Sequence, residues 1–128
     1  SMWSADMNSF NHYAYGAIGE WMYRAMAGIE ADPENPGFKH AILYPRIGGS
    51  LKYTEGKYHS IYGDVGVKWE VKGKQIALTV HIPVNTTAEI RLDQAKTVIE
   101  NDGLNFTPAE DYMTCEAGSG TYHIVFEQ

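Results

Sequence analysis

The sequence has one cysteine, no excess of basic residues and no long apolar run. Cys115 has no second cysteine to pair with, so a fold built on internal disulfides is excluded and the redox compartment stays open. Lys and Arg number 10 against 16 Asp and Glu, and the net charge of −6 leaves no basic surface for a nucleic-acid backbone. No apolar run approaches the roughly 20 residues that cross a bilayer. We therefore expect a soluble chain that binds neither nucleic acid nor membrane.

Signals for a metal, a cofactor or a nucleophile are also missing. Gly118-Ser119-Gly120 lacks the lysine and the following helix of a phosphate-binding loop, so it is predicted to be a turn. Cys115 has no catalytic signature around it and is predicted to be a small buried residue. We expect no cofactor and no metal site, because the five histidines are scattered singly: His12, His40, His59, His81 and His123.

One segment, residues 7–29, has the apolar spacing of an α-helix. Asn8 or Ser9 can cap its start, and Gly28 can end it. The opposite face carries few charges, and a helix that is apolar almost all round is typical of the interior of a larger structure. We therefore expect an exposed helix that either pairs with a second copy of the chain through a two-fold contact or has raised mobility.

The rest of the chain is predicted to form strands. Residues 32–39 are rich in proline and acidic side chains without periodicity, which indicates a linker. From residue 40 onward, short runs of alternating apolar and polar residues are separated by turn residues. The fold class is therefore predicted to be mainly β, an antiparallel β-sandwich of about eight strands preceded by one long N-terminal helix. The predicted strands are residues 40–47, 51–59, 63–72, 75–82, 87–92, 96–100, 113–117 and 121–127.

The alternation also predicts which side chains face the core. His81 and His123 fall on the outward sides of their strands, and the strand glutamates are predicted to lie on solvated faces. Trp69 is in phase with the valines on its strand and is predicted to be buried. The residues expected between the two sheets are Leu43, Val67, Trp69, Leu78, Val80, Ile90, Ile124 and Phe126.

Five blocks of the sequence carry a resemblance to a known family. They are MNSFNHYAYGAIGEWMYR at 7–24, GFKHAILYPRIGG at 37–49, the Ser60, Gly63 and Trp69 pattern, IPVNTTAEIRL at 82–92, and GSGTYHIVF at 118–126. Together they resemble the C-terminal part of bacterial α-L-rhamnosidases. That family consists of inverting glycoside hydrolases with an (α/α)6 catalytic barrel followed by a C-terminal β-sandwich.

The resemblance implies where the domains of the chain begin and end, and where the catalytic residues of the enzyme lie. Residues 1–31 would be the last helix of a truncated catalytic barrel, residues 32–39 a linker, and residues 40–128 the C-terminal sandwich. The general acid and base of the family lie upstream, so the chain alone is expected to have no catalytic residue and to be inactive. His12 matches the motif histidine that lines the rhamnose pocket, although on the residues alone a structural role for it stays open. The implied partners are the rest of the barrel and a rhamnose-containing glycan, and the parent's compartment stays open between periplasmic and secreted.

A second interpretation, from another class, is a carbohydrate-binding module without any chemistry. Tyrosines are plentiful, and Tyr53, Tyr58, Tyr62 and Trp69 are candidates for a sugar-stacking platform. A shallow row of exposed tyrosines would favour this interpretation. Aromatic side chains that face the core or the helix would favour the first one.

Overall fold

The computed structural model describes residues 27–32, 34 and 39–128, and this part of the chain is almost entirely β. Within it, no helix is long and apolar enough to span a membrane. Its ten strands are β1 (Ile29–Ala31), β2 (His40–Leu43), β3 (Tyr53–Ser60), β4 (Gly63–Lys72), β5 (Gln75–Ile82), β6 (Thr87–Asp93), β7 (Thr97–Glu100), β8 (Thr107–Pro108), β9 (Tyr112–Ala117) and β10 (Gly120–Glu127).

The described strands form two five-stranded sheets. The first has the order β1-β2-β6-β9-β8 and the second has the order β3-β4-β5-β10-β7. Neighbouring strands are antiparallel except for β2 and β6, which are parallel. A parallel pair needs a long crossover, and here β3, β4 and β5 supply it by forming part of the other sheet. The prediction of a purely antiparallel sandwich is therefore wrong for the first sheet, which is mixed.

Both sheets turn apolar side chains toward one shared core. This follows from the alternation, because every second residue of a strand points to the same side of its sheet. Burying each large apolar side chain contributes about 1.5–3 kcal/mol. The eight residues predicted to lie between the sheets are confirmed as buried, each at most 2% exposed: Leu43, Val67, Trp69, Leu78, Val80, Ile90, Ile124 and Phe126.

The observed strand bounds agree with the predicted ones for strands in which apolar and polar residues alternate over many positions. Strands β4 and β5 have the predicted bounds, joined through a turn in which Gly73 has a φ of +65°. Strand β2 ends at Leu43 rather than at residue 47, and Pro45, which cannot donate a backbone hydrogen bond, follows it. Strands β1 and β8 were not predicted, since three and two residues are too few to show a period.

The predicted helix over residues 7–29 lies mostly outside the described residues. At its end, Ala27 is helical, Gly28 is in a turn and Ile29 already belongs to β1. Gly28 has a φ of +79°, and its carbonyl accepts a 2.7 Å hydrogen bond from the Tyr44 amide. The sequence analysis placed Ile29 in the helix and the first strand at residue 40. In the structure the first sheet begins at Ile29, and the segment predicted to be a linker connects two paired strands, β1 and β2.

Candidate functional site

The outer sides of the two sheets differ in how far their charged groups are exposed to water. On the second sheet the side chains of Lys57, Glu70 and Lys72 are 53–67% exposed, as in an ordinary solvated surface. On the first sheet those of Asp32 and His40 are 17% exposed and those of Glu89 and Arg91 are 24% exposed, whereas Glu116 at its edge is 66% exposed. We call the outer side of the first sheet the polar face; its residues are Glu30, Asp32, His40, Ile42, Tyr44, Glu89, Arg91, Tyr112, Thr114 and Glu116.

His40 lies between two carboxylates at one end of the polar face. Its Nδ1 is 2.8 Å from Asp32 Oδ2, and its Nε2 is 2.9 Å from Glu116 Oε1. Burial lowers the pKa of His40, but hydrogen bonds to Glu116 and Asp32 and the charges of both carboxylates outweigh it, so the pKa is raised above 6.5. Because both ring nitrogens face carboxylate oxygens, the arrangement favours the imidazolium form. His40 thereby ties β2 to β9 across β6 and holds the residue that follows β1.

Arg91 is the centre of a second polar cluster. Its Nε donates to Glu89 Oε2, and the hydroxyl of Thr114 donates to the same oxygen at 3.2 Å. The hydrogen bond to Glu89 is the main cause that raises the pKa of Arg91, so this half-buried guanidinium is always charged. A half-buried charge is tolerated when it is paired and hydrogen-bonded, and here the partners are neighbours on the same face.

Two aromatic rings extend this cluster toward the start of β1. The Tyr44 and Tyr112 rings meet edge to face, with centroids 5.0 Å apart. The Arg46 guanidinium carbon lies 3.7 Å from the centroid of the Tyr44 ring, and that of Arg91 lies 4.8 Å from the centroid of the Tyr112 ring. These are cation–π distances. Arg46 thus lies over the Tyr44 ring, Arg91 lies over the Tyr112 ring, and the two rings contact each other. These four side chains form one cluster at this corner of the first sheet.

The chain enters the sandwich at this same corner. A Cβ atom on Gly28 would come within 2.5 Å of the backbone of Tyr44 and Pro45, so only glycine fits here. Nearby, the buried Asp93 carboxylate accepts a 3.0 Å hydrogen bond from the Ile47 amide. The side-chain amide of Gln128 donates to the carbonyls of Ile47 and Asp93. The entry to β1 is therefore packed against the backbone of Tyr44 and Pro45, and Gln128 is anchored to Ile47 and Asp93.

The structure places the residues that the sequence singled out in different regions. His12 lies outside the described residues. Cys115 is buried on β9, and burial raises the pKa of its thiol to about 11, which makes it a poor nucleophile. His81 and His123 are exposed, and each hydrogen-bonds a threonine on the neighbouring strand. No group of three or more residues in the described part of the chain could hold a metal ion.

The four aromatic residues considered as a sugar platform do not share one surface. Trp69 is in the core, and Tyr58 packs against the core from the inner side of β3. Tyr53 is exposed on the outer side of the same strand, five residues earlier. Tyr62 is half-buried in the turn after β3. A flat row of stacked rings is therefore not formed by these residues.

Sequence reasoning missed the residues that make up the polar face. Tyr44 and Arg91 lie within two of the blocks that carry the resemblance, as does the neighbouring Arg46, but no role was assigned to them, and Tyr112 lies outside all five blocks. A single signal was available: His40 begins a strand among apolar residues, where an ordinary surface histidine is not expected. The partners of His40 could not be found without the register of β2, β6 and β9.

Comparison with known proteins gives the family. Residues 28–106 match the family profile for the bacterial alpha-L-rhamnosidase C-terminal domain. The chain is similar to an alpha-L-rhamnosidase of Streptomyces avermitilis, with 39% identity over 91% of this chain and 11% of that protein. A second such relative, from Formosa agariphila, is 42% identical over 79% of this chain and 11% of the relative. The solved Streptomyces avermitilis alpha-L-rhamnosidase, complexed with L-rhamnose, superposes with a TM-score of 0.73 and 35% identity over 91% of this chain and 11% of that one.

The matched residues begin at residue 28, the turn that leads into β1, and end at residue 106, just before β8. The chain spans only about a tenth of the length of these relatives. It belongs to the family of bacterial α-L-rhamnosidase C-terminal domains.

Proposed function

We propose that this chain serves as the C-terminal part of a glycoside hydrolase that releases terminal rhamnose from glycosides or polysaccharides. The support is its family membership, together with the name that its relatives share. Within that enzyme we assign the sandwich a structural, non-catalytic role. Its task is to cover one side of the catalytic barrel with the polar face.

The observation that carries this assignment is the low exposure of four charged side chains on the polar face, Asp32, His40, Glu89 and Arg91. Taking a charge out of water is unfavourable unless a partner compensates it. On the polar face this compensation is already present, because Arg91 is bonded to Glu89 and His40 is bonded to Asp32 and Glu116. A protein surface that docks there has little further desolvation to overcome. The outer side of the second sheet also has ion pairs, Lys57 with Asp64 and Lys72 with Glu70, but their side chains are 42–67% exposed and would have to be desolvated by a docking surface.

The catalytic barrel is the partner that fits this face. The chain passes from a helical residue, Ala27, into β1 at Gly28, beside Tyr44 and Pro45. Whatever precedes Ala27 in the enzyme therefore starts at a corner of the polar face. We assign residues 1–26 to the last barrel helix and place the start of the sandwich at Ala27, a few residues before the boundary expected from the sequence.

The described carboxylates do not supply a hydrolytic pair. An inverting glycosidase needs an acid and a base roughly 6.5–9.5 Å apart with a free path to the sugar. The half-buried Asp32 and Glu89 are each held by a cation, and the buried Asp93 is held by a backbone amide. We therefore expect the purified 128-residue chain to release no phenol from an aryl α-L-rhamnoside above the buffer rate. Turnover above that rate would contradict the accessory role.

Docking is tested by hydroxyl-radical footprinting of matched tyrosines. Tyr112 lies on the polar face, while Tyr53 lies exposed on the outer side of the second sheet. In the complete enzyme we expect Tyr112 to be oxidised several-fold more slowly than in the isolated chain, because the barrel covers it. Tyr53 serves as the control and should react equally in both. Equal protection of both tyrosines, or protection of Tyr53 alone, would contradict docking through the polar face.

A contact between His12 and the sugar stays part of the proposal and rests on the motif resemblance. If His12 hydrogen-bonds a rhamnose hydroxyl, replacing it by Ala in the complete enzyme leaves that hydroxyl unpaired. The expected loss is about 1–3 kcal/mol of transition-state binding, read from kcat/KM. Unchanged kinetics would assign His12 a structural role.

A further inference from the structure

Arg46 is exposed, although both of its neighbours in the chain are buried. Pro45, which precedes it, lies against Gly28, where an added Cβ would come within 2.5 Å of the proline backbone. Ile47, which follows it, is 5% exposed, and its amide donates a 3.0 Å hydrogen bond to the buried Asp93 carboxylate. The backbone on either side of Arg46 is therefore held by the sandwich, and the residue between the two anchors reaches the surface.

The Tyr44 ring sets the position of the Arg46 guanidinium. The guanidinium carbon lies 3.7 Å from the ring centroid, which is a cation–π contact. The ring is itself fixed, because Tyr44 is 8% exposed and meets Tyr112 edge to face. This contact uses the charge of the guanidinium but supplies no oxygen that could accept from its five N–H donors. A partner that bound these donors would meet a side chain whose freedom is already reduced.

No carboxylate among the described residues pairs with this guanidinium. The two cations on the polar face are each bonded to a carboxylate, whereas no carboxylate oxygen of the described residues lies within 4.0 Å of the nitrogens of Arg46. Burial raises the pKa of Tyr44, the charge of Arg46 lowers it, and those of Asp93 and Asp111 raise it. These two carboxylates are thus in the neighbourhood, but neither forms an ion pair with Arg46.

The location of Arg46 selects the kind of partner. The Tyr44 amide, directly before Pro45, donates a 2.7 Å hydrogen bond to the carbonyl of Gly28, the residue at which the chain enters the sandwich. Arg46 therefore stands at the corner of the polar face where the preceding part of the enzyme starts. At the edge of a covered surface, an acidic side chain compensates such a cation, whereas an apolar or basic one leaves it unpaired.

We propose that Arg46 binds an acidic side chain of the catalytic barrel. The carboxylate accepts N–H bonds from the guanidinium, and the Tyr44 ring supports the guanidinium from within the sandwich. This inference rests on the proposed function, because it names the chemistry by which the barrel meets the polar face. It separates Arg46 from His40 and Arg91, whose charges are compensated by carboxylates of the sandwich itself.

The partner is identified by zero-length cross-linking of the complete enzyme that carries Arg46→Lys. A carbodiimide joins an amine to a carboxylate when the two are in direct contact, and mass spectrometry of the peptides locates the bond. We expect an amide between position 46 and an Asp or Glu of the barrel. Lys57, exposed on the second sheet, is the internal control and should be joined to no barrel residue. A bond from position 46 only to carboxylates of the sandwich, such as Asp111, would overturn the proposal.

Charge reversal tests the contact in the complete enzyme by the oxidation rate of Tyr112. Arg46→Glu should raise this rate several-fold toward that of the isolated chain, because two negative charges then meet at the corner. Lys57→Glu is the matched control and should leave the rate unchanged. Replacing the cross-linked barrel acid by Lys in the Arg46→Glu enzyme should restore the protection of Tyr112. A loss of stability alone would not be rescued in this way.

The same measurement separates this inference from docking itself. If Tyr112 is protected in the parent enzyme and equally protected in the Arg46→Glu enzyme, docking through the polar face stands and the role of Arg46 is overturned. If Tyr112 is unprotected in the parent enzyme, both are overturned. Thermal unfolding of the isolated chain shows whether Arg46→Glu disturbs the fold. If it does, Arg46→Gln replaces it, with a smaller rise of the Tyr112 rate as the expected result and an unchanged rate as the outcome that overturns the proposal.

Discussion

Trp69 shows how a single buried residue combines a large apolar contribution with an unpaired polar atom. Its ring is fully buried, and its Nε1 has no hydrogen-bond partner among the described residues. Trp69→Phe keeps a ring and removes this donor, so we expect the free energy of unfolding to fall by no more than about 1–2 kcal/mol. Trp69→Ala should cost about 3–5 kcal/mol, because it leaves a cavity. Urea denaturation measures the free energy of unfolding of both variants. An equal decrease in the two would show that the buried ring contributes less to stability than the indole N–H.

His40 makes stability depend on pH in a definite direction. Its pKa is raised in the folded chain, so its contribution is complete below the unfolded pKa of about 6.5 and is lost as pH rises through the folded pKa. We compare the parent with His40→Gln by urea denaturation at about pH 5.5, 7 and 8.5. The stability difference should be largest at the lowest pH. A difference that is the same at all three pH values would contradict the raised pKa of His40.

At the scale of elements, the junction before β1 depends on one glycine. Gly28 has a φ of +79°, and an added Cβ would overlap the backbone of Tyr44 and Pro45. Gly73, in the turn between β4 and β5, has a φ of +65° and open space around it. Gly73→Ala should therefore cost about 1–2 kcal/mol from backbone strain alone. Gly28→Ala should cost clearly more, because β1 or the segment around Tyr44 must move.

Thermal unfolding of these two glycine variants measures the difference. A larger shift of Tm for Gly28→Ala than for Gly73→Ala is the expected result. Equal shifts would show that the close approach of Gly28 to Pro45 adds nothing to the stability of the sandwich. The comparison thus separates the conformational strain, which both positions share, from the packing, which only Gly28 has.

At the scale of the whole molecule, we propose a domain boundary before β1. The division expected from the sequence assigns residues 1–31 to the barrel, but a cut after residue 31 removes the buried Ile29 and the pairing of β1 with β2. We expect residues 27–128 to unfold cooperatively with stability close to that of the full chain. Residues 32–128 should be less stable by about 2–4 kcal/mol, chiefly because Ile29 leaves the core. Equal stability of the two shortened chains in urea would place β1 outside the cooperative unit.

The same shortened chain tests the proposed homodimer. Analytical ultracentrifugation should show self-association of the 128-residue chain and a monomer for residues 27–128. The physical reason is that the apolar helix predicted over residues 7–29, most of which the shortened chain lacks, is expected to expose an apolar surface in the isolated chain. A dimer that persists without residues 1–26 would assign the contact to the sandwich instead.

The sequence by itself determined the class of fold and most of the core. The period-two pattern of residues 63–72 and 75–82 fixed two strands and the turn between them, because alternation is a local property of the chain. It likewise placed Trp69, Leu78 and Phe126 inside. The motif blocks indicated the family, which the comparisons show. The two shortest strands, β1 and β8, were not predicted. They form by pairing with a neighbouring strand, and they are too short to show a pattern of their own.

Only the tertiary structure decided where the polar groups meet. His40 and Glu116 are 76 positions apart, and their contact requires β2, β6 and β9 to pair in one register. The parallel pairing of β2 with β6 has no local signal either, because it depends on which sheet the intervening strands join. Local periodicity predicts which side of a strand faces inward, but it does not predict which other strand will pair with that strand. The polar face therefore became visible only when its strands were assembled into one sheet.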